Sequence, residues 1–468
     1  MTSDPRDAQI AELKSQLAER DIQLAAALAR IAALEELVRK SSSNSSKPPS
    51  SDAPGKKLFR RPKPSGKKPG GQPGHKGWKR ALVPAEEVDR HHDCVPSECA
   101  RCAAPLAGSD PTPLLHQVFH LPEVKPFVEQ YALHELGCGV CGTATRAELP
   151  AGVPTRSFGP SVVATIAVLI GAYRMSKRSV QVLLADLFGL SISLGAIIGS
   201  QRVASEALAA PVDEAKRYVA AAAVKHADET SWRDGTGLVW LWAAVTPLVT
   251  VFLIHAHRST DAAKSLLGKA KGVLISDRYS AYTWWPVWER QVCWAHLIRD
   301  FTAIAERGGE SKRIGDALLA ESKQLFLWWN RFRDGKLSRE SLRKYVSPLR
   351  KRVDALLDEG VATKHAKTSR TCVKIQSVGC CLWYFVDEEG VEPTNNPAER
   401  AVRHGVLFRK VSQGTKSAAG SHFVGRVLTA HATLRQQGRN VLAFVRAACE
   451  AQLHGTEPPS LLPPPSAT

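Results

Sequence analysis

The sequence predicts a multidomain α/β protein, and three observations predict it. A heptad repeat opens the chain, two Cys-x2-Cys pairs follow between residues 99 and 141, and beyond them short apolar runs ending at acids alternate with helical segments. The 468 residues suffice for several domains, and a 44% apolar fraction supplies cores of ordinary size. The balance of 63 basic against 45 acidic residues leaves a net charge of +18. That excess points to an anionic partner, nucleic acid before others.

The N-terminal "MTSDPRDAQIAELK" is polar and does not read as a secretory leader. Ten cysteines in so long a chain are too few for a disulfide scaffold, so a reducing cytoplasm is expected and paired cysteines suggest metal. The most apolar run, 238–254, is broken by Thr246 and Pro247 and reads as two strands around a turn, so no membrane partner is expected.

Within 8–40, Ile10, Leu17, Leu24, Ile31 and Val38 recur every seven residues, with Leu13, Ala27 and Leu34 at the offset position and Arg20 as the exception. This is a coiled-coil seam and implies a homo-oligomer; an amphipathic helix lying on its own domain is the alternative. Residues 41–88 begin with a Ser-, Pro- and Gly-rich stretch dense in Lys and Arg, which reads as a disordered basic linker able to follow a phosphate backbone. Residues 89–150 carry Cys99 and Cys102, then Cys138 and Cys141, with "HQVFHLPEV" and "PFVEQYALHEL" as strand-like runs between them. Four thiolates satisfy a tetrahedral zinc ion, so a zinc-ribbon-like domain with structural Zn2+ is expected, and Cys94 is spare.

Residues 155–220 are Ala-rich and helical. A helix over about 177–187, a break at Gly189 and a second helix after Ser191 or Ser193 outline a helix-turn-helix. A Lys-Arg pair in the first turn of that hairpin, expected at positions 178 and 179, supplies candidate DNA contacts. An α/β core is then expected from 221–296 and 386–455, interrupted by charged amphipathic helices over 297–385, with a disordered tail at 456–468. Trp328 and Trp329 in that insertion read as core residues.

Three acids stand at comparable places. An apolar run stops at Asp228, the run Val273–Ile275 delivers Asp277, and "TNNPAER" puts Glu399 in the first turn of a helix capped by Asn396 with Pro397 next. Singly, each has a plainer reading: the aspartates as cap or turn residues, Glu399 as the far half of a capping box. Jointly, two strands and a helix can converge them on one edge of a sheet. Carboxylates so close repel, and Mg2+ or Mn2+ relieves the repulsion. Cys293 and His296 have metal-ligand spacing without a partner pair and read as shaping this site or as packing, not as a second zinc site. His226, two residues before Asp228, faces the same side of its strand and reads as a satisfied core histidine, with contact to DNA or orientation of the acid as the site-shaping alternatives. Arg400, Arg403, Arg409, Lys410 and Lys416 crowd the segment after Glu399, as contacts to a DNA backbone would.

"HADET", "SDRYSAY", "CWAHLIRDF" and "PTNNPAERAVR", with the downstream "SQGTKSAAGSHFVGRVLTAHATLRQQGRN" and the N-terminal "NSSKPPSSD" and "GGQPGHKG", resemble the insertion-sequence sixty-six transposases of bacteria over roughly residues 10–455. The resemblance implies a ribonuclease-H-like core with an Asp-Asp-Glu triad at Asp228, Asp277 and Glu399. It implies a transposase that binds the terminal inverted repeats of its element, cleaves DNA and joins the 3′-hydroxyl to target DNA by two-metal phosphoryl transfer, in the cytoplasm at the nucleoid, with accessory proteins of the same element as further partners. A catalytically silent DNA-binding regulator and a hydrolysis-only nuclease are the alternatives.

Overall fold

The computed structural model describes residues 5–41, 45–47, 74–77 and 80–463. Most of the basic linker and the last five residues lie outside the described residues. The chain forms two compact units, residues 55–125 and the remainder.

The N-terminal heptads form one helix, α1 (Pro5–Arg39), and its seam residues Ile10, Leu17, Leu24 and Ile31 are exposed. In the smaller unit, Gln117 ties to Val83 by a pair of hydrogen bonds to its backbone N–H and C=O. The strand-like runs expected within 116–134 form no strand. Their apolar side chains, such as Leu121, Phe127 and Val128, are exposed, and alternation gives a sheet only where a neighbour covers one face. In the larger unit, the only ladder among described residues 126–150 is the short hairpin β1 (Glu135–Gly137) with β2 (Ala144–Arg146).

Four helices follow: α2 (Pro160–Gly171), α3 (Lys177–Phe188), α4 (Leu194–Ala207) and α5 (Ala209–Ala221). The hairpin forms as its sequence asks. Ser176 caps α3 by accepting the Ser179 N–H, Gly189 ends it in the left-handed region at φ 62°, and Ser193 caps α4 by accepting the Ala196 N–H. These helices are not a separate domain. Val163, Ile166 and Ile197 share one buried cluster with Trp242 and Phe252 of the sheet and with Val427 and Phe444 near the C-terminus.

The sheet has five strands: β3 (Val224–Asp234), β4 (Gly237–Val245), β5 (Thr250–His255), β6 (Val273–Ser276) and β7 (Arg290–Val292), in the order β5-β4-β3-β6-β7. The first three are antiparallel; β6 and β7 run parallel to β3. Helix α6 (Thr260–Leu267) makes the crossover from β5 to β6. The turn at Thr246 and Pro247 forms as expected, closed by the Thr246 N–H on the Val249 carbonyl at 2.8 Å.

After β7 the chain enters α7 (Trp294–Ala305), α8 (Gly309–Arg333), α9 (Arg339–Ala362), α10 (Ala366–Gln376) and the short α11 (Tyr384–Asp387). They build a second core against Val273, Ile275 and Val292 of the sheet. Trp329 packs edge-on against Phe385 within it, as expected, while Trp328 stacks on Tyr345 at its margin. The chain returns through α12 (Asn396–Ser412), α13 (Ala418–Gln436) and α14 (Val441–His454). Helix α13 covers the edge strand β5: Thr429 and Thr433 accept the N–H groups of Phe252 and Thr250 at 2.9 and 3.1 Å, which leaves that edge little to offer another strand. The described part of the C-terminal tail is ordered against expectation. Leu461 is fully buried, and Ser460 donates to Glu214 at 2.8 Å.

Candidate active site

The register of β3 against β6 places the first two acids. His226 pairs with Ile275 at the last rung of the parallel ladder, so Asp228 and Asp277 each stand two residues beyond it, side by side at the same level. Asp277 ends β6 as expected. Asp228 does not end its strand, because β3 continues to Asp234 along β4. The apolar run stops at Asp228 because the parallel neighbour stops there.

The third acid arrives on α12, which lies close on the sheet. At Gly405 an added Cβ would meet the Leu241 side chain at 2.0 Å. The helix begins at Asn396 with Asn395 at its cap position, one residue earlier than expected, and no side chain caps it. Asn395 is committed elsewhere. Its side-chain amide donates to the Ala227 carbonyl (2.7 Å), its Oδ1 faces His226 Nδ1 (3.2 Å), and its backbone N–H donates to Cys293 Sγ (3.1 Å). The capping box is therefore not formed. Glu399 instead points Oε1 toward Cys293 Sγ at 3.9 Å and His296 Nδ1 at 3.5 Å. The latter distance is within ion-pair reach, yet its alignment makes no hydrogen bond and leaves His296 Nδ1 buried without one. These three side chains offer ligand atoms all within 4.8 Å of one another. His226 is thus a buried histidine held by Asn395.

The electrostatics tie the acids together. Burial raises the Asp228 carboxyl well above the usual range, and the charges of Glu229, Asp277 and Glu399 push it further. Some of its surface still meets solvent. Burial holds His226 down to about 4 and pushes the Cys293 thiol up to about 11. Burial also lowers His296, with Arg299 adding to it. Asp277 accepts the Tyr279 N–H at 2.9 Å, and its carbonyl takes a bond from the buried Arg290 at 2.8 Å.

Glu229 is the residue that sequence reasoning missed. It is buried, accepts two hydrogen bonds from Arg258 (2.9 and 2.6 Å) and one from the Tyr282 hydroxyl (2.6 Å). Burial raises its carboxyl, and Asp277 adds to that rise. Strand alternation beside Asp228 was the available signal.

The basic residues divide. Arg400, Arg403, Lys410 and Lys416 are exposed. Arg409 is not free: its guanidinium bonds the Ser231 carbonyl and hydroxyl, locking α12 to β3. At the start of α3 the expected positions need correction. Position 178 is Arg178 rather than a lysine, and position 179 is Ser179 rather than an arginine, so the Lys-Arg pair stands one residue earlier, at Lys177 and Arg178, both exposed. Ser179 brings no positive charge to a phosphate. Its N–H donates to Ser176 Oγ at 3.0 Å, and the two hydroxyls share a hydrogen bond at 2.7 Å, so it serves the helix cap.

Each cysteine pair forms a turn of the same pattern. The Cys99 N–H donates to the Ala104 carbonyl and the Ala103 N–H returns to Cys99; likewise Cys138 with Thr143, and Gly142 with Cys138. The fourth residue after each leading cysteine, Ala103 or Gly142, has positive φ (55° and 73°). Hydrogen bonds from Thr143 lower the Cys141 thiol to about 7, and N–H groups of Arg101 and Cys102 lower Cys99.

No helix among the described residues is long and apolar enough to cross a membrane. Residues 2–81 match a family of unknown function (DUF6444). Comparison with curated proteins finds no match. Residues 156–422, which carry all three acids, the Cys293–His296 pair and the α3–α4 hairpin, match the family described as Transposase IS66 family. That match takes in more than half of the chain, and the chain therefore belongs to the IS66 family of transposases.

Proposed function

We propose that this transposase binds the terminal inverted repeats of its element, cleaves a strand there and joins the freed 3′-hydroxyl to target DNA, with Asp228, Asp277 and Glu399 as its catalytic acids. The observation that carries the reading is the β3–β6 register, which sets Asp228 and Asp277 each two residues beyond the last rung; Glu399, 122 residues after Asp277 (399 minus 277), is near enough to add to the rise that burial, Glu229 and Asp277 cause at Asp228. The strand order β5-β4-β3-β6-β7, three antiparallel strands and then two parallel ones, supports a ribonuclease-H-like core.

The donor set fits Mg2+ or Mn2+. Three hard carboxylates share one field: burial and Glu229 raise Asp228 first, Asp277 and Glu399 add to the rise, and a divalent cation would offset their share. Asp228, Asp277 and Glu399 would hold the ions, which supply charge stabilisation for an in-line phosphoryl displacement. The chain's own groups do the positioning. Asn395 locks the cap of α12 to β3 and to Cys293, which sets where Glu399 stands. Arg258 and Tyr282 hold Glu229, which keeps β3 fixed beside Asp228. Exposed Arg400, Arg403, Lys410 and Lys416 would take the flanking phosphates, and Lys177 and Arg178 further backbone.

Cys99 and Cys102, and Cys138 and Cys141, are read as ligands of structural Zn2+, on the strength of their matched turns and the lowered thiols of Cys99 and Cys141. The exposed seam of α1 is read as a coiled coil that joins copies of the chain.

The test is Mg2+-dependent nicking of end-sequence DNA. Asp228→Ala or Glu399→Ala should lower the rate by roughly a thousandfold or more, with end binding within a few-fold of wild type. A wild-type rate in either variant sinks the assignment. Joined products separate a transposase from a nuclease that only hydrolyses, and tight binding without any cleavage favours the regulator.

A further inference from the structure

We propose that Cys293, His296 and Glu399 form a site for a thiophilic divalent cation of the zinc class, which shares one carboxylate with the magnesium chemistry but is selected by sulfur and nitrogen. Three features support it. The first is spacing. A tetrahedral zinc with bonds of roughly 2.0–2.3 Å holds its ligand atoms roughly 3.3–3.8 Å apart. Here Nδ1 of His296 and Sγ of Cys293 stand 3.5 and 3.9 Å from Glu399 Oε1. Little movement is needed to close them on an ion.

The second feature is an orphan. His296 Nδ1 is buried and makes no hydrogen bond, a costly state for a polar atom unless something else takes its lone pair or its proton. The third is local construction. Cys293 is the cap residue of α7 and His296 lies in its first turn, so the three-residue spacing puts both on one side of that helix end. The Asn395 N–H on Cys293 Sγ steadies the sulfur and ties it to the segment that carries Glu399. A thiolate, a neutral imidazole and a carboxylate balance a divalent charge, and three protein ligands leave a fourth position for water. On binding, the Cys293 thiol gives its proton to solvent. Magnesium, a hard ion, gains little from sulfur or imidazole, so the site discriminates by chemistry.

Resting on the proposed function, an occupied site holds Glu399 away from the magnesium ions, and zinc then restrains cleavage. The test is a cobalt titration of the full-length protein, with bound metal measured after equilibrium dialysis. Wild type, Cys293→Ser and His296→Ala are compared, and circular dichroism checks the fold of each. The knuckle cysteines are common to all three proteins and cancel. Each variant should bind one equivalent fewer, or bind the last equivalent ~10–100-fold more weakly. Equal stoichiometry and affinity in all three proteins overturns the site. Should His296→Ala lose helix content, the near-isosteric Cys293→Ser carries the comparison.

A second arm measures nicking with and without Zn2+. The wild-type rate should fall ~10-fold at a zinc concentration that leaves Cys293→Ser, relative to its own zinc-free rate, unchanged. Equal inhibition in both overturns the restraint. If no protein nicks DNA at all, the function reading fails while the cobalt count still decides the site.

Discussion

The acid site and the cysteine turns hold their chemistry by opposite means. Asp228, Asp277 and Glu399 are placed by packed elements: a parallel register sets two of them, and a helix pressed on the sheet at Gly405 sets the third. Asn395 then bonds three separate parts of that junction. The turns at Cys99–Cys102 and Cys138–Cys141 have almost nothing to pack on. Their neighbours are exposed, the second sits in a hairpin of three-residue strands, and their order comes from a few local hydrogen bonds. The difference teaches where each site draws its stability. Burial in a packed core raises the Asp228 carboxyl, and Asp277 and Glu399 add to the rise; on the zinc reading proposed above, the thiols await an ion that would supply what packing does not.

That contrast can be broken in three ways. The largest effect should come from chelation. Removing zinc should withdraw stabilisation on the order of 10 kcal/mol from the cysteine region, so that limited proteolysis cuts within 89–150 while residues 158–455 keep their melting transition. A loss of the main transition at the same chelator concentration would mean that the core also leans on that ion.

Next is Asn395→Ala. It strands the Ala227 carbonyl and His226 Nδ1 in buried surroundings and should cost about 3–4 kcal/mol in denaturant unfolding, with nicking falling through a displaced Glu399. An unchanged midpoint would mean that packing alone sets the junction.

The smallest is a pH effect. His226 has a folded pKa of about 4 against about 6.5 unfolded, so it is kept neutral by burial. Its contribution is fully present above pH 6.5 and is lost as pH falls toward 4, by up to about 3 kcal/mol. His226→Gln should flatten the stability profile across that window, and equal slopes for both proteins would refute the assignment.

Much of what positions the candidate acids was legible because its signals are local. A short apolar run ending just before Asp277, and an Asn-Pro pair three residues before Glu399, are patterns a single segment carries. The strand pair around Thr246 and Pro247, the α3–α4 hairpin and the helical insertion were legible for the same reason. What escaped depends on partners far along the chain. Nothing near Glu229 announces that Arg258 and Tyr282 will close on it, and nothing near Arg409 shows Ser231, 178 residues earlier, waiting for its guanidinium. The apparent end of β3 at Asp228 was the end of one neighbour, a fact that belongs to β6. Leu461 looked like part of a loose Pro-rich tail because its pocket is made by other segments.

The helical insertion leaves and re-enters the sheet at nearly the same point. The Trp294 N–H, at its first residue, donates to the Pro393 carbonyl at 2.8 Å, just before α12 begins. Roughly a hundred residues are thus strung between two stitched ends, and lengthening a closed excursion carries only a slowly growing entropic penalty. The span between the second and third acids is therefore a free variable of this architecture. Related chains could swell, shrink or replace that lobe wholesale, trading one accessory surface for another, and leave the spacing of Asp277 and Glu399 untouched.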